Sequence, residues 1–190
     1  MRLFIAVWPP DHVLEALGAL ERPAVEGVRW TTPDQWHVTL RFLGELADPP
    51  VAADVGEGER GSVHTADTSP AAAVAARLRT TTLPAAEAVL GPASERRPPG
   101  LLWLPVAGLD ALAAAVADAT SGIGAPVRVP FRGHVTLARA RRSARRGVLG
   151  AVAPLVCTAA WEVREVTVVQ STLGGSGSRY EVLDRVGIGP

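Results

Sequence analysis

Residues 35–43, Gln-Trp-His-Val-Thr-Leu-Arg-Phe-Leu, alternate between apolar and polar side chains. Because successive side chains of a β-strand point to opposite faces, this alternation predicts a strand with one buried and one polar face. The tetrapeptide at its centre, His-Val-Thr-Leu at 37–40, recurs unchanged at 134–137. Within the first strand, His37 and Thr39 are two residues apart and therefore share the polar face.

The same alternation assigns the neighbouring side chains to faces. Arg41 continues the polar face of the first strand, whereas Phe42 belongs to its apolar face. In the second strand His134 and Thr136 share one face. Arg139, three residues after Thr136, is expected on the opposite face.

The two tetrapeptides end two similar segments of chain. Each segment is predicted to run strand, helix, short strand and then motif strand: 3–7, 11–21, 28–30 and 35–43 in the first, and 101–106, 108–120, 127–129 and 133–138 in the second. The matching order and the identical tetrapeptide indicate an internal duplication.

The chain between the two segments is harder to interpret. Residues 77–83 favour a strand and residues 85–90 a helical turn, while 56–62 contain several glycines and no hydrophobic period. We therefore expect a single bilobal domain over 1–190. Its parts are repeat one at 1–48, an irregular segment at 49–95, repeat two at 100–140 and C-terminal strands at 161–188.

Composition excludes several classes of protein. The 190 residues include 19 basic side chains, all of them Arg, and 19 acidic ones, so the formal net charge is zero and a broadly basic nucleic-acid-binding module is excluded. Cys157 is the only cysteine, which excludes an intramolecular disulfide and a cysteine-based zinc site. The apolar stretch 101–119 is broken by a proline and two aspartates, so we expect no membrane span and a cytoplasmic location.

If the two segments pack about a pseudo-twofold axis, their polar faces oppose each other across a cleft, and the two histidines and two threonines that would line it suit a phosphoester. Displacement at phosphorus needs a base for the attacking oxygen and an acid for the leaving oxygen, and imidazoles titrate near neutral pH. Hydroxyl and guanidinium groups hold the phosphate charge. His37 and His134 are not part of a carboxylate cluster, so neither a metal nor another cofactor is expected.

The paired His-x-Thr-x motifs resemble the 2H phosphoesterase superfamily. Within that superfamily, the chain resembles the bacterial RNA 2′,3′-cyclic phosphodiesterases, also described as 2′-5′ RNA ligases. Five stretches carry this resemblance: MRLFIAV at 1–7, GVRW at 27–30, HVTLRFLGE at 37–45, HVTLAR at 134–139 and the C-terminal segment 166–183. The resemblance implies a bilobal α+β fold in which two antiparallel sheets flank a central cleft and the helices lie outside.

The resemblance also implies roles for single residues. His37 would donate a proton to the leaving 3′ oxygen and His134 would accept one from water, an assignment that the symmetric motifs do not make by themselves. Thr39 and Thr136 would bind the phosphate. Further substrate contacts are expected from Arg41, Phe42 and Arg139. The implied product is a 2′-phosphomonoester at an RNA end.

Other functions remain open from the sequence. The same chemistry could act on a small nucleotide-derived cyclic phosphate, or the reverse reaction could join RNA ends. A function of a different class is that of a non-catalytic RNA-binding module. The fact that both motifs are intact argues against it, because a module without catalysis would be expected to lose one of them. Expected partners are RNA ends or small cyclic-phosphate nucleotides, and the protein is expected to be a monomer.

Overall fold

The computed structural model describes residues 1–47, 69–141, 144, 147–152, 154–174 and 177–189. Within these ranges the helices are α1 (Asp11–Gly18), α2 (Pro70–Arg79) and α3 (Asp110–Ala119), with 3-10 helices at Pro33–Gln35 and Val148–Ala151. The strands are β1 (Arg2–Val7), β2 (Val28–Trp30), β3 (Val38–Glu45), β4 (Ala86–Leu90), β5 (Glu95–Arg97), β6 (Leu101–Ala107), β7 (His134–Ala140), β8 (Ala159–Val163), β9 (Glu165–Gly174) and β10 (Gly177–Gly187).

The strands form a curled antiparallel sheet, and few helices accompany it. Its order is β10-β9-β1-β3-β7-β6-β4-β8, with β2 paired to β7 and β5 paired to β6. Among the described residues, β3 and β7 share the single pair Val38–Val135, whereas β1 and β3 share six pairs. The two motif strands therefore meet at one point in the middle of the sheet order.

The sheet buries apolar side chains on both faces of β1. Leu3, Ile5 and Val7 belong to the main hydrophobic core, which also contains the buried side chains of the three helices. On the other face, Phe4 and Ala6 pack with Val169 of β9 in a smaller cluster. A strand that is covered on both faces has a continuous apolar sequence, as residues 3–7 do.

Residues 77–83 and 85–90 differ from the sequence-based prediction. Arg77 and Leu78 lie in the last turn of α2, which Ser69 caps by accepting a hydrogen bond from the Ala72 amide at 3.2 Å. Residues 71, 74, 75 and 78 are buried at helical spacing, and this burial pattern favours a helix. Three of these four residues precede the predicted strand 77–83, so the pattern is not visible within that strand alone. Residues 86–90 form a strand because β6 and β8 pair with them from either side, which overrides the helix propensity of alanine.

The predicted strand at 127–129 is absent from the structure. Val127 and Val129 are 62% and 73% exposed, and no described strand pairs with them. The preceding chain instead approaches β3 at one point, where the Ala125 amide donates to the Leu43 carbonyl at 2.7 Å. A Cβ at Gly124 would lie 2.2 Å from that carbonyl oxygen, so this approach requires glycine. The correspondence between the two segments is therefore incomplete at this position.

No helix in the described ranges has the length and apolar character needed to cross a membrane.

Candidate functional site

The two motifs line one cleft of about 380 Å³. Six of the seven sequence-predicted site residues are among its lining: His37, Thr39, Phe42, His134, Thr136 and Arg139. The Val38–Val135 pair explains this convergence, because both valines are fully buried and the residues on either side of each point to the opposite face. Since the strands are antiparallel, His37 lies at the same end of the pair as Thr136, and Thr39 at the same end as His134.

His37 precedes β3 directly and is held at its Nδ1 atom. Nδ1 lies 2.9 Å from the carbonyl oxygen of Gln35, at the end of the 3-10 helix. Because a carbonyl oxygen only accepts, Nδ1 carries the hydrogen and Nε2 is the basic nitrogen of the neutral ring. The ring packs among Phe4, Trp8 and Tyr180, with centroid distances of 4.9, 5.2 and 4.8 Å.

His134 has the same kind of support. Its Nδ1 lies 2.7 Å from the carbonyl oxygen of Arg132, again two residues earlier in the chain, so Nε2 is again the basic nitrogen. Its ring packs against Trp103 with a centroid distance of 3.9 Å. The two histidines therefore share one tautomer and one mode of backbone support.

A β-bulge in β3 separates Arg41 from the cleft. Ala6 and Ile5 of β1 face Thr39 and Arg41, so Leu40 is an extra residue in β3. The bulge reverses the alternation, and Arg41 becomes buried while Phe42 is 45% exposed and lines the cleft. The expectation that Arg41 shares the face of His37 and that Phe42 is buried is therefore wrong.

Arg41 instead binds the C-terminal end of α3. Its guanidinium donates to the Ala117 carbonyl, to Thr120 Oγ1 at 2.8 Å and to the Ile123 carbonyl at 3.1 Å. Burial lowers the pKa of Arg41. A cation at a helix C-terminus satisfies carbonyl groups that have no partner within the helix, so this residue has a structural role.

A second bulge at the equivalent position of β7 brings Arg139 into the cleft. Leu102 and Trp103 of β6 face Ala138 and Thr136, which makes Leu137 the extra residue. Ala138 is consequently buried and Arg139 lines the cleft on the same side as Thr136. The expectation that Arg139 faces away from Thr136 is wrong for the same reason as for Phe42.

The cleft environment disfavours the charged form of both imidazoles. The pKa of His37 is lowered from 6.5 to about 4, chiefly by burial, with the Gln35 carbonyl opposing the shift and the charges of Arg139 and His134 adding to it. Burial also lowers the pKa of His134, against the Arg132 carbonyl and together with the charge of Arg139. Both rings are therefore neutral at pH 7 before a substrate binds.

Sequence patterns missed several residues that shape the cleft. They are Arg2, Phe4, Trp8, Arg29, Thr31, Gln35, Ser171 and Tyr180, all of which line the cleft or contact His37. A signal existed for the first three, since residues 2, 4, 6 and 8 share one face if the predicted strand 3–7 is extended by one residue at each end. Tyr180 lies about 140 residues from His37 and carries no local pattern that links it to the site. Among the described residues, no group of three or more His, Cys, Asp or Glu side chains could hold a metal ion.

This chain matches a protein-family model in part of its sequence and resembles solved structures in its fold. A family model described as LigT like Phosphoesterase matches residues 7–60. The structure of TT0787 of Thermus thermophilus is 26% identical, with a TM-score of 0.69 over 99% of this chain and 98% of that one. E. coli LigT complexed with 3′-AMP is 23% identical, with a TM-score of 0.67 over 98% and 97% of the two chains.

A sequence search of curated proteins found no match. The similarity to LigT-like phosphoesterases of the 2H superfamily, inferred from the two motifs, is nevertheless confirmed by the family model over residues 7–60 and by the fold over nearly the whole chain.

Proposed function

We propose that the protein hydrolyses 2′,3′-cyclic phosphates at RNA ends to 2′-phosphomonoesters, using protein groups alone. The observation that carries this proposal is the matched pair of imidazoles in one cleft. Each has its Nδ1 hydrogen bonded to a backbone carbonyl, and each lies one residue before the paired Val38 or Val135. Such an arrangement supplies one proton acceptor and one proton donor around a single phosphate.

The proposed reaction transfers one proton at each histidine. His134 Nε2 takes a proton from a water molecule as its oxygen attacks phosphorus. The bond from phosphorus to the 3′ oxygen breaks, and protonated His37 gives its Nε2 proton to that oxygen. The products are a 2′-phosphomonoester and a free 3′-hydroxyl, and proton exchange with solvent restores the starting charges of both rings.

The substrate itself supports the protonation that this reaction needs. The positive charge of Arg139 lowers the pKa of both histidines. An anionic phosphate bound beside Arg139 offsets that charge and favours the charged form of a nearby imidazole. We propose that Thr39, Thr136 and Arg139 donate to the non-bridging oxygens, and that the exposed ring of Phe42 contacts the ribose or base.

Similar proteins bind related molecules. E. coli LigT has been crystallised with 3′-AMP, with NADP+, with ATP and with phosphate. A nucleotide carrying phosphate near its ribose hydroxyls fits the proposed function, and the similarity to phosphoesterases suggests a reaction at a phosphoester.

We also propose that the domain consists of two duplicated lobes, β10-β9-β1-β3 and β7-β6-β4-β8, each contributing one motif strand. The single pair between β3 and β7 and the equivalent bulges at Leu40 and Leu137 support this division. The proposed function then places the reacting phosphate between the lobes.

Hydrolysis of an oligonucleotide ending in a 2′,3′-cyclic phosphate tests the proposal. Wild-type protein should convert it in excess chelator, and His37→Ala or His134→Ala should each reduce the rate by a factor of about 10² to 10⁴. His12→Ala is the matched control, because His12 is exposed and lies outside the cleft lining. Unchanged rates in either cleft variant, or no hydrolysis by wild-type protein, would contradict the proposed function.

A further inference from the structure

A tryptophan outside the cleft lining contacts His134. Trp103 of β6 lies directly opposite Thr136 of β7, and its ring packs against the His134 imidazole with an interplanar angle of 40°. A residue opposite Thr136 reaches His134 diagonally, because His134 and Thr136 lie two positions apart on the same face. Trp103 is not among the residues that line the cleft, so its contact is with the imidazole and not with a bound substrate.

The two motifs differ in this support. Opposite Thr39 of the first motif lies Ala6, at the position where the second motif has Trp103. Aromatic rings from three other positions surround His37, whereas Trp103 is the one aromatic ring in contact with His134 among the described residues. The orientation of the His134 ring therefore depends on Trp103 and on the backbone hydrogen bond at its own Nδ1 atom.

An ion pair on β5 restrains the Trp103 ring. Glu95 lies directly opposite Trp103 across the β5–β6 pair. Its Oε2 atom accepts a hydrogen bond from Trp103 Nε1 at 3.3 Å and another from Arg97 Nη2 at 2.6 Å. The Arg97 guanidinium also lies over the Trp103 ring, 5.1 Å from its centroid. The indole is thus held at its N–H edge by Glu95 while its ring contacts His134.

We propose that Trp103, oriented by Glu95, is a positioning residue that holds the His134 imidazole with Nε2 directed at the reacting group. This proposal rests on the proposed function for the role of His134 as proton acceptor. The hydrogen bond at Nδ1 and the contact with Trp103 together restrict rotation of the imidazole about its side-chain bonds. A base that is oriented before the reaction needs less rearrangement to reach the transition state.

Trp103 and Arg97 also affect the charge of His134. Burial is the largest cause of the lowered pKa of His134, the Arg132 carbonyl opposes it, and the positive charges of Arg139 and Arg97 add to it. Because the Trp103 ring covers the imidazole, its removal should raise the pKa of His134 towards the ordinary value of 6.5. Removal of the Arg97 charge should shift the pKa in the same direction.

Histidine NMR tests the proposal without requiring turnover. Imidazole ¹H–¹⁵N spectra recorded across a pH series report both the pKa of His134 and which of its nitrogens carries the hydrogen. Trp103→Leu should raise this pKa and increase the fraction of neutral rings protonated at Nε2, because a ring free to turn leaves the carbonyl that now binds Nδ1. Trp103→Phe keeps an aromatic ring without the N–H group, so both values should lie between those of wild-type protein and Trp103→Leu.

Two substitutions of Glu95 form a matched pair. Glu95→Gln and Glu95→Leu both remove the charge that pairs with Arg97, but only glutamine keeps an oxygen that can accept a hydrogen bond from Trp103 Nε1. The rate constant kcat should therefore fall further in Glu95→Leu than in Glu95→Gln. Equal kcat values in the two variants would contradict the role of Glu95 in orienting the indole.

Hydrolysis of the cyclic phosphate separates positioning from stability. Trp103→Leu should lower kcat by about 10- to 100-fold and leave KM nearly unchanged, because Trp103 does not line the cleft. Trp161→Leu is the control, since Trp161 is buried in the main core at β8 and lies outside the cleft lining. It should lower the free energy of unfolding without shifting the pKa of His134 or reducing kcat.

Two results would overturn the proposal. One is a His134 pKa and tautomer that are unchanged in both Trp103→Leu and Trp103→Phe, and the other is an equal shift in Trp161→Leu. If the NMR shifts occur as expected but wild-type protein does not hydrolyse the cyclic phosphate, the proposed function is refuted, whereas the control of the His134 ring by Trp103 is retained.

Discussion

The buried His37 ring should make the stability of the fold depend on pH. Its pKa is about 4 in the folded protein against 6.5 for an unperturbed imidazole, so the unfolded chain binds more protons at pH values between these two. The free energy of unfolding therefore falls as the pH falls from 6.5 towards 4, and this group contributes nothing to the change above about pH 8.

The size of the effect follows from the two pKa values. When the pH falls from 8 to 5, the unfolded chain takes up a proton at His37 and the folded protein largely does not. At 1.36 kcal/mol per pKa unit, this difference lowers the free energy of unfolding by about 2 kcal/mol. His37→Gln removes the titrating group but keeps a polar side chain. The difference in unfolding free energy between pH 8 and pH 5 should therefore be about 2 kcal/mol smaller in the variant than in wild-type protein.

Urea unfolding at both pH values, followed by tryptophan fluorescence, measures this double difference. The comparison cancels any loss of packing that is independent of pH, and His12→Gln, at an exposed position, controls for the loss of a histidine elsewhere. An equal pH dependence in wild-type protein and in His37→Gln would refute the claim that burial keeps the His37 ring neutral.

Three further predictions concern the same cleft and its support. The pH profile of kcat/KM should be bell-shaped with both limbs below pH 6.5, because the pKa values of His37 and His134 are both lowered; a limb above pH 7 would contradict the assignment. Arg139→Gln should lower kcat/KM and, by removing a positive charge, raise the pKa of His37 in an NMR titration; an unchanged titration would show that the two groups do not interact. Arg41→Leu should lower the free energy of unfolding, measured with urea, by about 3 kcal/mol, because the partners of its guanidinium at the end of α3 are left unpaired. KM should change little. A decrease in unfolding free energy no larger than that of a surface substitution would contradict the role assigned to Arg41.

Local sequence patterns predicted the motif strands, and non-local pairing decided how their side chains are oriented. The repeated His-Val-Thr-Leu at 37–40 and 134–137 predicted two strands, each with a histidine and a threonine on one face. In the structure, both histidines and both threonines line one cleft. Leu40 and Leu137 carry no sequence signal of a bulge, since leucine favours ordinary strand geometry as well. Those bulges depend on register with β1 and β6, which only the folded chain defines.

The segments that were predicted wrongly show the same limit. The alanine-rich stretch 85–90 becomes a strand because β6 and β8 lie on both sides of it. Val127 and Val129 have β-branched side chains, but no strand in the described part of the fold pairs with residues 127–129. In both places the availability of a neighbouring strand, rather than intrinsic propensity, decides the structure.

The central claim is that two histidines direct water to phosphorus and break its bond to the 3′ oxygen. Identifying which oxygen keeps the phosphate in the product tests this claim most directly. Oligonucleotides ending in a 2′,3′-cyclic phosphate would be treated with the protein in ¹⁸O-labelled water, and the products identified by ³¹P NMR and mass spectrometry. The account predicts a single 2′-phosphomonoester containing one ¹⁸O atom, formed by wild-type protein and by neither His37→Ala nor His134→Ala. A 3′-phosphate product, a product without the label, or label incorporation that persists in either histidine variant would contradict it.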